Sequence, residues 1–416
     1  MRYKLTYLLM ILLLSAPLTG QSVKSLPDDP RIVKGQVPNG FTYYLVQNDI
    51  KSGYADFYLL RKVGSINESK EQAGFNSLLS DMGVRGTRNF PDNTILSYFD
   101  ELGIDQHLNF QMFDGVENSY HKITDVPVKK GGGVIDSTLL ILYNWASSIN
   151  IDEEDLEKEK LYYKNYITRE YNGEIRAGLN HTKHILHPDS QEGVDIEKII
   201  SGIDNYTSKE IRSFYYKWFS PDRMALVVVG DIDGASLSSK INSLYQALPK
   251  YIGKVEDVEV SFAEQQEPVV SIVCEPEGSG GRLDISFPTP SLPENLRLTA
   301  VPFVEEYMIS VMKQLITERL SLTSADSKAP FFLEGVEYGH FLGNSAKSAL
   351  TVSVKVPKGD VEDVVKVIMR ELYAIKRDGF AKKEYDRGQK TYFQELNYVY
   401  DWRVFTPNEY YATRAI

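Results

Sequence analysis

Residues 71 to 82 read Glu-Gln-Ala-Gly-Phe-Asn-Ser-Leu-Leu-Ser-Asp-Met and predict an amphipathic helix. Its apolar side chains recur at i, i+3, i+4 and i+7, the spacing that packs one helical face against a core. They are Phe75, Leu78, Leu79 and Met82. The other face carries Ser77, Ser80 and Asp81. These three polar residues are the first candidates for a functional site.

The three polar positions have the spacing of the inverted zinc motif His-x-x-Glu-His, in which the two histidines hold the metal and the glutamate activates water. Residues 85 to 91 then read Arg-Gly-Thr-Arg-Asn-Phe-Pro. Together these segments resemble the insulinase/pitrilysin family of zinc metallopeptidases, where Gly-x-x-His-x-x-x-Glu-His-Met is followed by Gly-Thr-Lys-x-Phe-Pro. The resemblance implies that Ser77 and Asp81 replace the two histidines and that Ser80 replaces the glutamate.

The remaining zinc ligand of the family is a glutamate on a later helix. The matching segment, residues 159 to 166, reads Glu-Lys-Leu-Tyr-Tyr-Lys-Asn-Tyr. Glu159 is retained at its start, and the resemblance places the ligand position at Tyr166. A phenol with a pKa of roughly 10 is not a natural zinc ligand at neutral pH.

These substitutions remove the family's chemistry from the predicted site. A serine hydroxyl is a poor zinc ligand, and it cannot act as a general base as an ionised carboxylate does. Asp81 alone does not hold the ion, because protein zinc sites use three or four side chains from Cys, His, Asp and Glu. We therefore expect no competent catalytic residue, no metal and no cofactor. In an alternative register Glu157 supplies a carboxylate, and zinc would then need a site rebuilt from Asp81, Glu157 or Glu159.

The resemblance extends over most of the chain, through residues 29–44, 136–145 and 206–231 in the family's order. It implies an α+β fold of two structurally repeated α/β-sandwich domains. Each domain would be an antiparallel-rich sheet packed with helices, as in one half of an insulinase-type clamshell. Strands are expected at 53–63, 269–274, 282–287 and 349–356, and helices at 134–147, from 152 onward, at 298–319, at 361–377 and from 382 onward.

Four segments are predicted along the chain. Residues 1–20 have the charged, apolar, small-residue order of a secretory signal peptide, with an uncleaved anchor as the alternative. Residues 21–249 form the first insulinase-like domain, and residues 250–268 form a polar linker. Residues 269–416 form the second insulinase-like domain, either complete or truncated. A secreted or periplasmic protein is expected from the signal.

Composition narrows the function further. The 416 residues are 42% hydrophobic and 25% charged, as in ordinary globular proteins. A net charge of −11 argues against a nucleic-acid binder, since phosphate contacts need a basic face. The single cysteine, Cys274, cannot form an internal disulfide and is expected in a core. His181, His184 and His187 drift around a helix axis at a spacing of three, which favours solvated or capping roles over a metal site.

Three hypotheses for the function follow. The first is a catalytically inactive insulinase-family homologue, exported, that acts as a peptide-binding or partner subunit of a protease-like chamber. Its partners would be peptides or unstructured polypeptide, together with a second insulinase-like half or further copies of itself. The second is an active zinc metalloendopeptidase with a rebuilt site. The third is a truncated gene product without a settled function.

Overall fold

The computed structural model describes residues 24–131, 133–171, 175, 178–179, 196–258, 268–272, 281–342, 344–357 and 361–415. The predicted signal peptide, the three closely spaced histidines and Cys274 lie outside these residues. The chain divides into two compact units. The first unit is Asp28–Pro276 with Val404–Ile416, and the second unit is Met1–Pro27 with Glu277–Arg403.

The described part of the first unit contains a six-stranded sheet with the order β1-β2-β6-β3-β5-β4. Neighbouring strands pair antiparallel, except that β2 and β6 run parallel. The β3 and β6 strands are buried along almost their whole length, because both faces of the sheet are covered. The strands are β1 (Ile32–Gln36), β2 (Thr42–Gln47), β3 (Ala55–Arg61), β4 (Phe110–Asp114), β5 (Ser119–Val126) and β6 (Met224–Gly230).

Most helices of the first unit cover one face of this sheet, and a helix near the end of the chain, described below, covers the other. The helix predicted from the apolar spacing of residues 75–82 is confirmed, and its apolar face lies in the core of the unit. The charged helix predicted from residue 152 is also confirmed; it begins after Asp152, whose carboxylate accepts a hydrogen bond from the Asp155 amide at 2.9 Å. The helices before the second unit are α1 (Phe75–Arg85), α2 (Thr94–Leu102), α3 (Val134–Ser147), α4 (Glu153–Glu170), α5 (Ile196–Gly202), α6 (Ser208–Trp218) and α7 (Gly234–Tyr245).

The described part of the second unit contains a three-stranded antiparallel sheet of order β7-β9-β8, made of β7 (Gly281–Pro290), β8 (Phe332–Phe341) and β9 (Asn344–Val356). Its core joins β9 to the long helices that precede and follow it. The helices of the described part of this unit are α8 (Glu294–Arg297), α9 (Val301–Ser324), α10 (Val361–Asp378) and α11 (Lys382–Asp401). The mixed helix and sheet content, with antiparallel-rich sheets, agrees with the predicted fold class.

One predicted strand is wrong over its described part. Residues 269–272 are not in a strand, and the side chains of Val270 and Ile272 are 80% and 81% exposed. An apolar run forms a strand only where it pairs with a sheet neighbour and a core covers it. No core covers Val270 and Ile272 in the described structure.

The helix α12 (Asn408–Ala415) belongs to the first unit, although the sequence assigned its residues to the second domain. Ala412 is fully buried against the face of the sheet formed by Val46, Tyr58, Val227 and Val229. Asn48 donates hydrogen bonds to the Thr406 carbonyl at 3.1 Å and to the Asn408 side chain at 2.8 Å. The predicted division at residues 250–268 stays a prediction.

No helix within the described ranges combines the length and the apolar character needed to cross a membrane.

Candidate functional site

The amino end of α1 is fixed by a buried carboxylate. Glu68 accepts hydrogen bonds from the backbone amides of Gly74 and Asn76, both at 2.7 Å. These amides have no carbonyl partner within the helix, so the carboxyl group of Glu68 satisfies them. Burial raises the pKa of Glu68 to about 8. Gly74 has φ +86°, and a Cβ there would lie 3.1 Å from Ile199 Cγ1, so glycine is required at this turn.

The polar face of α1 meets α4. Arg85 Nε lies 2.5 Å from Glu159 Oε2, and Ser77 lies near the Tyr163 phenol, whose pKa burial raises and Ser77 lowers. Because the later residue of α1 contacts the earlier residue of α4, the two helices run antiparallel along this contact. The structure thus brings together the two segments that the sequence proposed as halves of one site.

Asp81 lies between these two contacts along α1. Its side chain is partly buried, and its carboxylate makes no hydrogen bond or ion pair within the described part of the chain. Burial raises its pKa to about 8, and the like charges of Glu159 and Asp114 act in the same direction. The guanidinium of Arg85 opposes this shift without cancelling it.

Ser80, which the sequence comparison predicted at the general-base position, is held in a buried polar network. Its hydroxyl donates to Asp114 Oδ1 at 2.9 Å and accepts from Arg61 Nη2 at 3.3 Å. Asn76 also donates to Asp114 Oδ1, at 2.8 Å, and Arg61 Nε donates to Ser119 Oγ at 3.0 Å. Ser80 is fully buried. The sequence reasoning missed this network, since its members come from strands and a helix far apart in the chain.

The charges in this network have shifted pKa values. Burial raises the pKa of Asp114 to about 6, although the neighbouring Arg61 lowers it. Burial likewise lowers the pKa of Arg61 to about 10, while Asp114 opposes that shift. Arg61 remains charged at neutral pH, and its guanidinium lies over the Phe219 ring with 4.9 Å between Cζ and the ring centroid.

The candidate residues of α4 differ in their surroundings. Glu159 is 2% exposed, and burial raises its pKa against the effect of Arg85. Tyr166 is 38% exposed, and its pKa is raised by burial and then by Tyr171 and Asp81. Glu157 is exposed and pairs with Lys160 Nζ at 2.5 Å. Two residues along a helix turn the side chain by about 200°, so Glu157 faces away from Glu159 and from α1.

This donor set does not fit a zinc ion. Two of the matched positions offer serine hydroxyls, of which Ser80 already donates to Asp114, and Tyr166 offers a protonated phenol. Of the two carboxylates, Glu159 already binds the Arg85 guanidinium. Among the described residues, no group of three His, Cys, Asp or Glu side chains could hold a metal.

A sequence profile described as "Peptidase M16 inactive domain" matches residues 205–392. The "Probable zinc protease PqqL" of Haemophilus influenzae is 21% identical over 372 residues, covering 86% of this chain and 38% of that protein. The protein of the same name from Escherichia coli is 21% identical, with 88% and 39% covered.

A solved structure agrees with these matches. The first half of the periplasmic protease PqqL from Escherichia coli superposes with a TM-score of 0.78 at 18% identity, covering 94% of this chain and 82% of that chain. The chain is similar to insulinase/pitrilysin proteases over these matches, and it has the fold of one half of such a protease. It spans about two-fifths of the length of the curated relatives it matches.

Proposed function

We propose that the chain is a catalytically silent protease homologue that binds peptides or unstructured polypeptide as one wall of a protease-like chamber. The observation that carries this proposal is the state of Ser80. At the position of the family's general base there is a fully buried hydroxyl, held between Arg61 and Asp114. A hydroxyl in this setting cannot remove a proton from water at neutral pH.

The neighbouring charges do not replace the missing base. Asp114 is the nearest carboxylate to Ser80, and its oxygen Oδ1 already accepts two hydrogen bonds, from Ser80 and Asn76. Asp81 has a pKa of about 8, so most of it is protonated at neutral pH. A general base must be both unprotonated and free to reach the water. These groups support retention of the scaffold without its hydrolytic chemistry.

The partner and the location are part of the same proposal. A solved relative is described as the first half of a periplasmic protease, which supports a second insulinase-like half, or another copy of this chain, as the partner. The secretory order of the first residues supports export to the periplasm or outside the cell. A chamber formed with such a partner would hold extended peptide.

The test combines metal content, peptide cleavage and peptide binding on the purified full chain. We expect far less than one zinc ion per chain after dialysis against zinc and no cleavage of an unstructured peptide, with measurable binding of that peptide by fluorescence anisotropy. One zinc per chain together with chelator-sensitive cleavage would contradict the proposal.

Two variants make this test specific for the rebuilt zinc site, the second candidate. It is favoured by the electrostatic proximity of Asp81 and Glu159. If cleavage occurs and is lost in Glu159→Gln but not in Glu157→Gln, the rebuilt site is correct. Glu157 is the matched control because it lies on the same helix, is exposed and faces away from α1.

A further inference from the structure

The second unit repeats part of the architecture of the first unit. Each contains three antiparallel strands with the last of the three in the centre, β3-β5-β4 in the first unit and β7-β9-β8 in the second. Two helices follow in each, α3 and α4 or α10 and α11. The first unit then continues through α6 into β6, which pairs antiparallel with the other side of β3. The described part of the second unit has no counterpart of α6 and β6.

The outer edge of β7 is therefore unpaired among the described residues. Six of the seven residues of β3 are buried, whereas none of the ten residues of β7 is. Even Leu283 and Ile285, which pack against the core of the second unit, are only partly buried. The difference follows from the missing neighbour, because β3 is covered by strands on both sides and β7 on one side only.

The hydrogen bonds of β7 show which backbone groups point to this edge. Ser291 N donates to Ala346 O at 3.0 Å, and these two residues lie opposite each other, one step beyond the last pair of the β7–β9 register. Opposite residues alternate between bonded and non-bonded pairs, so the odd-numbered residues of β7 bond to β9. The even-numbered residues Arg282, Asp284 and Ser286 therefore direct their N–H and C=O groups outward.

Two prolines limit the length of this open edge. Pro288 and Pro290 follow in the same outward register and offer no N–H group. A strand that pairs with β7 from outside can therefore receive N–H donors only from residues before Pro288. We call residues 281–287 the β7 edge.

The β3–β6 pair shows what such an edge receives. Lys62 N donates to Arg223 O at 2.8 Å, and Asp231 N donates to Tyr54 O at 2.9 Å, each between opposite residues of the β3–β6 register. Even-numbered residues of β3 thus bond to β6, while the odd-numbered ones face the helical core. The strand β7 has the same arrangement, since its odd-numbered residues face the core and its even-numbered ones point outward.

A helix also lacks its cover in the second unit. In the first unit, Phe75 in the first turn of α1 is 1% exposed, and its ring centroid lies 5.8 Å from that of Phe214 on α6. In the second unit, Phe303 in the first turn of α9 is 53% exposed. The exposed ring occupies the place in the repeat where α6 covers Phe75.

The exposed apolar surface continues from α9 onto α11. Val304 follows Phe303 and is also exposed. One turn further, Tyr307 lies against Phe393 of α11, with 5.8 Å between the ring centroids. Phe393 and Leu396 share one face of α11 and are both exposed. A contiguous exposed apolar surface of this kind marks a protein contact.

We propose that the second unit accepts a helix–strand segment of a partner polypeptide. The strand would pair antiparallel with the β7 edge, as strands added to a sheet edge do, and the helix would cover the exposed apolar surface of α9 and α11. The chemistry of the segment is that of residues 208–230, an amphipathic helix followed by a strand of branched apolar residues. This partner surface goes beyond the proposed function and is independent of the Ser80 site.

The probe is a fluorescein-labelled peptide with the sequence of residues 207–231, which is titrated into the full chain and followed by anisotropy. Its control keeps every side chain but carries N-methyl groups on Ala225, Val227 and Val229, the residues whose amides face β3 in the first unit. We expect saturable binding of the probe and binding of the control weaker by at least about tenfold, since its donors to the strand edge are removed.

Asp284→Pro tests the β7 edge itself, because it removes one outward N–H group. Asp284→Ala is the matched control, since it loses the same carboxylate and its ion pair with Arg282 but keeps the amide. We expect the proline variant to bind the probe about tenfold more weakly than the alanine variant. In the wild-type chain, the probe should slow hydrogen–deuterium exchange at the amides of residues 282, 284 and 286.

Three results would overturn this inference. The first is the absence of saturable binding, and the second is equal binding of the probe to Asp284→Pro and Asp284→Ala. The third is slow exchange of the three outward amides in the chain alone, which would show that a second copy or another part of this chain fills the edge. Zinc content and peptide cleavage are unaffected by these results, so the proposed function is tested separately.

Discussion

Ser80 and Asp81 show how far single residues could be interpreted from sequence. That the family's base and ligands are missing stays a prediction from the identities of these side chains. Their new partners were not predictable, because Arg61 and Asp114 end separate strands and no spacing in the chain connects them to α1. The same holds for Arg85, whose contact with Glu159 depends on how two helices pack.

The raised pKa of Asp81 makes a prediction about pH at the residue scale. Its pKa rises from 3.8 to about 8 on folding, so between these values the native state keeps a proton that the unfolded chain has released. The free energy of unfolding therefore falls as pH rises through this window and is constant above it. Asp81→Asn removes this contribution, so the variant should gain stability relative to wild type as pH rises.

Urea denaturation at several pH values measures this difference. We expect the free energies of unfolding of the wild type and Asp81→Asn to converge at low pH and to differ by about 1–2 kcal/mol above pH 8. This value allows for partial screening of the Asp81 charge by solvent. A residual dependence should remain in the variant, because the pKa values of Glu68 and Asp114 are also raised, to about 8 and about 6. Parallel curves for the two proteins would contradict the prediction.

At the scale of elements, α1 was predictable and its pairing with α4 was not. The 3.6-residue period of apolar side chains is a local signal, and α1 follows it. Contacts between elements depend on tertiary packing, which the sequence pattern does not encode. The predicted strand at 269–274 failed for this reason in its described part: the apolar residues were present, but no core covers Val270 and Ile272.

The pairing of α1 and α4 predicts an energetic coupling between Arg85 and Glu159. Arg85→Met should lower the free energy of unfolding by about 1–3 kcal/mol, because it leaves a buried carboxylate unpaired. Adding Glu159→Gln should recover at least half of that loss, since a neutral amide is less costly to bury. A urea double-mutant cycle measures the coupling.

Lys158→Met is the matched control for this cycle. Lys158 lies on α4 next to Glu159, but its ion pairs with Glu154 and Asp155 are exposed. Pairs of this kind contribute between 0 and about 1 kcal/mol. An Arg85→Met variant no less stable than this control would show that the ion pair does not hold the helices together.

At the scale of the whole molecule, the family resemblance predicted the fold class and the order of the elements. It did not predict that residues 404–416 belong to the first unit. The segment has weak apolar periodicity, and its placement depends on one small residue, Ala412, and on polar contacts with Asn48. Such contacts join residues more than three hundred positions apart, which no local pattern indicates.

Ala412→Asp should destabilise the first unit. Ala412 is fully buried against Val46, Val227 and Val229, so the substitution places an unpaired charge on an apolar face. We expect a loss of about 3–5 kcal/mol. Differential scanning calorimetry should show an earlier transition for this unit.

Glu409→Gln on the same helix is the comparison, because it removes an ion pair with Lys122 at 2.8 Å without placing a charge on the apolar face. It should cost about 1–3 kcal/mol, less than Ala412→Asp, since the mostly buried Lys122 loses this ion pair. Equal thermal transitions for the two variants would show that α12 does not stabilise the sheet.

The position of α12 also determines when the first unit can complete its folding during synthesis. The six strands of the first sheet are complete once residue 230 has left the ribosome, yet the helix that covers Val46, Val227 and Val229 begins only at residue 408. Throughout translation of the intervening segment this hydrophobic face has no native cover. Nascent chains with such exposed surface are substrates for holding chaperones and are prone to aggregate. Export in an unfolded state would avoid this hazard, since the sheet and its covering helix could then fold together after translocation.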